Sequence, residues 1–89
     1  MISAKELRES NCNQETVERG LILIDKLVRE NRMRRFVDVK LAKVFYNEYE
    51  FDAILDKLRS YGFLIGLSFE QYKSNIESSS LNREFTLRW

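Results

Sequence analysis

Apolar residues recur along this chain with two different spacings, and the points where one spacing gives way to the other constrain the fold most. Val17, Leu21, Ile24 and Val28 follow helical spacing, flanked by Ile22, Leu23 and Leu27. Val37, Val39 and Leu41 then alternate with Asp38 and Lys40, the pattern of a half-buried strand rich in β-branched residues. Phe51, Ile54, Leu55, Leu58 and Tyr61 return to helical spacing, and Gly62 is placed to end that helix. Alternation resumes at Phe63, Ile65, Leu67 and Phe69, and again at Phe85, Leu87 and Trp89. The spacing therefore predicts a long helix from Gln14 to Met33, a strand from Arg35 to Leu41, a third helix through Tyr61, and two further strands.

One more helix precedes these. Ser3 and Glu6 have the spacing of a capping box, and Ile2 and Leu7 that of a hydrophobic staple, so a short helix is expected over Ala4 to Glu9. "SNCN" breaks it, because short polar side chains compete for the backbone. "KVFYNEYEF" reads as a loop or as one more helical turn. Gly20, inside the long helix, costs about 1 kcal/mol relative to alanine. Either another backbone approaches closely there or the glycine is a tolerated imperfection.

The resulting order is α-α-β-α-β-β. Helices and strands are mixed, so the class is α+β: a short N-terminal helix and a long helix packed with a third helix on a small three-stranded sheet. The 89 residues allow one domain with a modest core, in which 1–12 serve as an N-terminal capping segment and 70–83 form a flexible polar loop. The last two strands are expected to form an antiparallel hairpin across that loop. The strand at Arg35 to Leu41 is expected to pair in parallel with Phe63 to Phe69 through a right-handed crossover.

The arrangement resembles small uncharacterised accessory proteins encoded by tailed bacteriophages. Those open on a short "SAxExR" segment, carried here by Ser3, Ala4, Glu6 and Arg8. A helix-to-strand junction of the "L..LGY.V" type follows, matched by Leu55, Leu58, Tyr61, Gly62, Phe63 and Ile65, and then an "ISW"-like strand at Thr86, Leu87 and Trp89. The resemblance implies a compact, virus-encoded α+β protein able to form homo-oligomers, located in the host cytoplasm. It carries over no catalytic or binding residue. The chain departs from that layout in the stretch Lys43 to Glu50 and in the long loop before the final strand.

Composition removes several kinds of chemistry. The chain has no histidine, so the commonest general base and metal ligand are missing. Gly20, Gly62 and Gly66 are too scattered for a phosphate-binding loop. Cys12 is alone, which excludes a disulfide framework and a multi-cysteine metal site within one chain and fits a reducing compartment. The N-terminus lacks a signal-peptide core, and "GLILI" is too short to span a membrane. A net charge of +1 gives no global pull toward nucleic acid or membrane, so such binding needs a local patch. We therefore expect a non-enzymatic protein with no cofactor, and the resemblance to phage-encoded proteins implies a host or viral protein as its partner.

Three clusters remain as candidates. Phe45, Tyr46 and Tyr49 are aromatic and lie close in sequence, either as anchors of a protein interface or as a minicore under the loop. Arg29, Arg32, Arg34, Arg35, Lys40 and Lys43 form a basic segment. Guanidinium forks match phosphate oxygens, although cations at a helix C-terminus also complement its dipole without any ligand. Nucleic acid or nucleotide binding there is the alternative function, including a winged-helix-like DNA binder or an oligomeric ligand sponge. In the winged-helix form the recognition helix would begin with Glu48, Glu50 and Asp52 and continue to Asp56, which repels phosphates. That acidic set could instead be a metal or catalytic pair, or simply a dipole-matched helix start. Finally, the last strand carries no proline guard, so its exposed edge would be covered by a second chain; Trp89 shares a buried face with Phe85 and Leu87 and is expected to be a structural anchor, packed on its own helices or on a neighbouring subunit.

Overall fold

The structure is a computed structural model that describes residues 1–67 and 81–89. It consists of α1 (Ala4–Ser10), α2 (Gln14–Glu30), β1 (Phe36–Ala42), α3 (Glu48–Ser60), β2 (Leu64–Gly66) and β3 (Asn82–Arg88). The class and the order α-α-β-α-β-β are those expected from periodicity. The expectations for Phe69 and for loop residues 70–80 lie outside the described residues. β3 begins at Asn82, within what the sequence reads as the end of that loop.

Helix ends follow local side-chain chemistry. The Ser3 hydroxyl accepts from the Glu6 backbone N–H at 3.1 Å, and the Glu6 carboxylate accepts from the Ser3 N–H at 3.4 Å, closing the capping box of α1. Ile2 and Leu7 both stay exposed, so this helix adds little to the core. Asn13 caps α2 by accepting from the N–H groups of Glu15 and Thr16. α2 stops at Glu30, short of the expected Met33. Asn31 ends it, because its side-chain amide donates to the Leu27 carbonyl at 2.8 Å while its backbone N–H donates to Leu27 and Val28. The chain then reverses through Arg35, which has a left-handed φ of 63°.

α3 ends in a Schellman motif. The Phe63 N–H donates to the Leu58 carbonyl at 3.2 Å and the Gly62 N–H to Arg59 at 3.0 Å, with Gly62 at φ 91°. This is the stop that the position of Gly62 predicts.

The sheet differs from expectation in one respect. Its strand order is β1-β3-β2, and β3 is antiparallel to both neighbours. The β2–β3 hairpin is as expected, but the predicted parallel pairing of Arg35–Leu41 with Phe63–Phe69 does not form. β3 lies between them, with Val39 opposite Phe85, and with Val37 and Ile65 flanking Leu87. The physical reason is burial. Phe85 and Leu87 are fully buried, and a central position covers them while pairing both edges of the strand that carries them.

Both long helices cover one face of this sheet. α2 packs on β1, α3 packs on β2, and the two helices pack on each other. Val17 and Ile24 of α2 and Phe51, Ile54, Leu55 and Leu58 of α3 meet Val39, Leu41, Phe85 and Leu87 of the sheet. Phe51 and Phe85 make an edge-to-face contact with ring centroids 5.7 Å apart. Gly20 is buried where α2 meets α3. A Cβ there would fall 2.6 Å from Ile54 Cδ1 and 3.0 Å from Tyr46 Cε1. The close approach is real, but side chains make it rather than another backbone.

Trp89 extends the inward face of β3. Its ring sits edge-on to Phe63 at 6.2 Å, its Nε1–H donates to the Arg32 carbonyl at 3.4 Å, and its backbone N–H donates to Arg35. The tryptophan thus anchors the α2–β1 turn of its own chain. Because β3 is central, the edges of the described sheet are β1 and β2. The expectation of an exposed edge on the last strand is therefore corrected.

Candidate functional site

Buried charge is the first place to look for chemistry, and among the described residues the only buried charged side chain is Glu50, 6% exposed. Its carboxylate accepts from the Asn47 N–H at 3.0 Å through one oxygen and from the Asn13 N–H at 2.9 Å through the other. Asn47 returns the contact by accepting from the Glu50 N–H at 2.8 Å, and its amide donates to the Asn11 carbonyl at 2.8 Å. Asn13 and Asn47 are the caps of α2 and α3. One carboxylate therefore serves the positive ends of two helices, and both its oxygens are occupied by structure. This joint was not foreseen in the sequence. The Asn-x-x-Glu spacing of Asn47 and Glu50 is a readable capping signal, but Asn13 enters only through the tertiary fold.

The rest of the acidic set points elsewhere. Glu48, Asp52 and Asp56 are exposed. An open cleft of about 170 Å³ separates α1 from α3 and is lined by Lys5, Cys12, Gln14, Tyr49, Asp52 and Asp56. Although Asp52 is exposed overall, the cleft wall partly desolvates its carboxyl and raises its pKa, and Glu48 and Asp56 raise it further against the opposing charges of Arg83 and Arg59. Burial, with Glu50 beside it, also pushes the Cys12 thiol up, which keeps it protonated and weakly nucleophilic. Among the described residues no group of three His, Cys, Asp or Glu side chains could hold a metal ion, and no helix is long and apolar enough to cross a membrane.

The aromatic candidates separate. Tyr46 is half-buried against the core, near Gly20, and its carbonyl accepts from Arg83 Nε at 3.2 Å. Phe45 is 72% exposed, on a turn formed by its own N–H donating to Ala42. Tyr49 remains exposed on the first turn of α3. The fold adds two residues beside Phe45 that its aromatic pattern does not contain. Val44 is 83% exposed, and Leu81 is 82% exposed and brought alongside by the Lys43 N–H donating to the Leu81 carbonyl at 3.0 Å. Phe45, Val44 and Leu81 thus form an apolar corner at one end of the sheet.

The basic segment separates too. Arg29 pairs with Asp25 at 2.8 Å, and Lys40 lies 3.9 Å from Glu84 on the neighbouring strand. Lys43 is half-buried near the apolar corner. Arg32, Arg34 and Arg35 occupy the α2–β1 turn, at the opposite end of β1 from Phe45. Arg34 lies over the Phe36 ring, 5.1 Å from its centroid. The "KLAKVFY" segment, which a winged helix would need as its second helix, is the end of β1 and a turn.

Comparison with protein-family models, with curated proteins and with solved structures finds no match for this chain.

Proposed function

We propose that the chain is a non-enzymatic binding protein that acts by docking its apolar corner onto another protein. The observation that carries this reading is the exposure of Val44, Phe45 and Leu81 at one end of the sheet, with exposed Tyr49 in the first turn of α3 just after the Phe45 turn. Aromatic side chains presented in this way are the usual anchors of an interface, since each covers a large area at small rotamer cost. Exposed Glu48 opens α3 just after the Phe45 turn, so the complementary partner carries an apolar pocket with a basic residue at its rim. The phage-like layout points to a host or viral protein as that partner. Homo-oligomerisation is part of the proposal and uses the edge of β1, since β3 is internal to the sheet.

The experiment compares the wild-type chain with Phe45→Ser in quantitative pull-downs from host extract, followed by titration of the recovered protein with both forms. Phe45 is exposed, so the substitution leaves the core intact. The expected result is loss of at least one specific partner and a tenfold or larger drop in its affinity, in line with truncation of an interface anchor at about 2 kcal/mol. An identical set of partners with unchanged affinity would overturn the proposal. Light scattering on the free protein tests self-association separately.

A further inference from the structure

Two members of the basic segment lie beside carboxylates, and the fold joins Arg34 and Arg35 of that segment to Arg88 of β3. Arg29, Lys40, Arg19 and Arg59 each lie beside a carboxylate. Among the described residues, Arg34, Arg35 and Arg88 form no such pair. Sheet register brings the three together: Phe36 is the partner of Arg88 across β1 and β3, and Leu64 is the partner of Arg88 on the other side. By alternation Phe36, Arg88 and Leu64 share the outer face of the sheet, away from the helices. Phe36 is exposed and Leu64 is 68% exposed. Among the described strand residues on that face, the next pair along carries a carboxylate, Asp38, which accepts from the Thr86 hydroxyl at 2.8 Å. Arg35 adds a second signal. A left-handed φ of 63° favours glycine or asparagine, yet an arginine holds the position.

We propose that this end of the outer sheet face binds single-stranded nucleic acid, with phosphates on Arg34, Arg35 and Arg88 and a base against Phe36 and its stacked guanidinium. Each part of the surface matches one part of that ligand. Guanidinium forks recognise phosphodiester oxygens, and the Arg34 guanidinium stacked on exposed Phe36 offers a platform for an unpaired base. A duplex offers only its phosphates to the same surface, because its base faces are already stacked. The surface lies at the other end of β1 from the Phe45 corner, so the two proposals stand independently.

The test is fluorescence anisotropy of the full chain with a labelled thymidine oligonucleotide of about 12 nucleotides, over a salt series starting near 20 mM. Engagement of the three arginines predicts a log–log salt slope of about −2, from about 0.7 per phosphate contact. Phe36→Leu keeps an apolar side chain and should weaken binding about tenfold with little change in slope. Arg88→Ala should reduce the slope by about 0.7. Arg35→Gly separates binding from folding: it relieves the backbone, so the thermal midpoint holds or rises, while affinity falls. Phe45→Ser should bind like the wild type. No binding at the lowest salt, equal binding by wild type and Phe36→Leu, or binding to anionic vesicles but not to the oligonucleotide would each overturn the proposal.

Discussion

The Glu50 joint makes the sharpest claim about what holds this fold together. Replacing Glu50 by alanine removes both acceptors that serve the Asn13 and Asn47 N–H groups, at 2.9 and 3.0 Å. A hydrogen bond to a charged group contributes about 1.5–3 kcal/mol, and leaving its buried partner unsatisfied adds to the loss. Two such bonds set an upper range of about 3–6 kcal/mol, and water entering the vacated space reduces it, so about 3 kcal/mol is expected. Domains of this size hold about 5–15 kcal/mol in total, and each kcal/mol shifts the midpoint by about 4–8 °C. Glu50→Ala should therefore lower the midpoint by about 12–24 °C. Glu50→Gln keeps one acceptor but turns an NH₂ group toward the other donor, and should lose about half as much. The control is Glu48→Ala, an exposed first-turn carboxylate whose attraction to the helix dipole is worth about 0.3–1 kcal/mol and is opposed by its repulsion of Asp52. Urea titration followed by far-UV circular dichroism gives all three values on one scale. If Glu50→Ala costs no more than Glu48→Ala, the carboxylate is not joining the two helices and the reasoning fails.

Two further substitutions probe the packing and the charge of the same helices. Gly20→Ala gains about 1 kcal/mol of helix propensity but drives a Cβ to 2.6 Å from Ile54 Cδ1 in a fully buried site, an overpacking cost of about 1–3 kcal/mol. Net destabilisation by about 1 kcal/mol is expected in urea titration, and a more stable variant would show that the contact relaxes freely. For Asp52 the folded-state pKa is raised above the unfolded one, chiefly by partial desolvation at the cleft wall and then by Glu48 and Asp56. The folded chain therefore binds the extra proton, and stability falls as pH rises from the ordinary carboxylate value of about 3.9 through the folded pKa. Asp52→Asn should be more stable than the wild type at neutral pH, with an advantage that disappears in acid. A constant offset across pH in thermal melts would contradict this.

The sequence by itself determined the elements, because their signals are local. A capping box at Ser3 and Glu6, helical spacing from Val17 to Val28, β-branched alternation at Val37 to Leu41, and Gly62 as a stop each act within a turn or two of chain. Their order yields an α+β class with helices on one face. The end of α2 was the exception, since Asn31 offers a cap that competes with apolar periodicity continuing to Met33. Strand order was not legible, because alternation marks which face is buried and is silent about which strand lies in the middle. Only the tertiary structure placed β3 between β1 and β2, where two fully buried side chains need cover from both sides.

The same division runs through the surfaces. Phe45, Arg34 and Arg35 stand out in the sequence, but Tyr46 stands beside Phe45 with equal weight and turns inward, where Gly20 leaves room for its ring. Arg88 and Leu81 carry no signal near those clusters along the chain. Register brings one to Phe36, and a backbone hydrogen bond ties the other to Lys43, next to Val44. Neighbours along the chain are written in the sequence, whereas neighbours across a sheet exist only once burial has chosen the pairing.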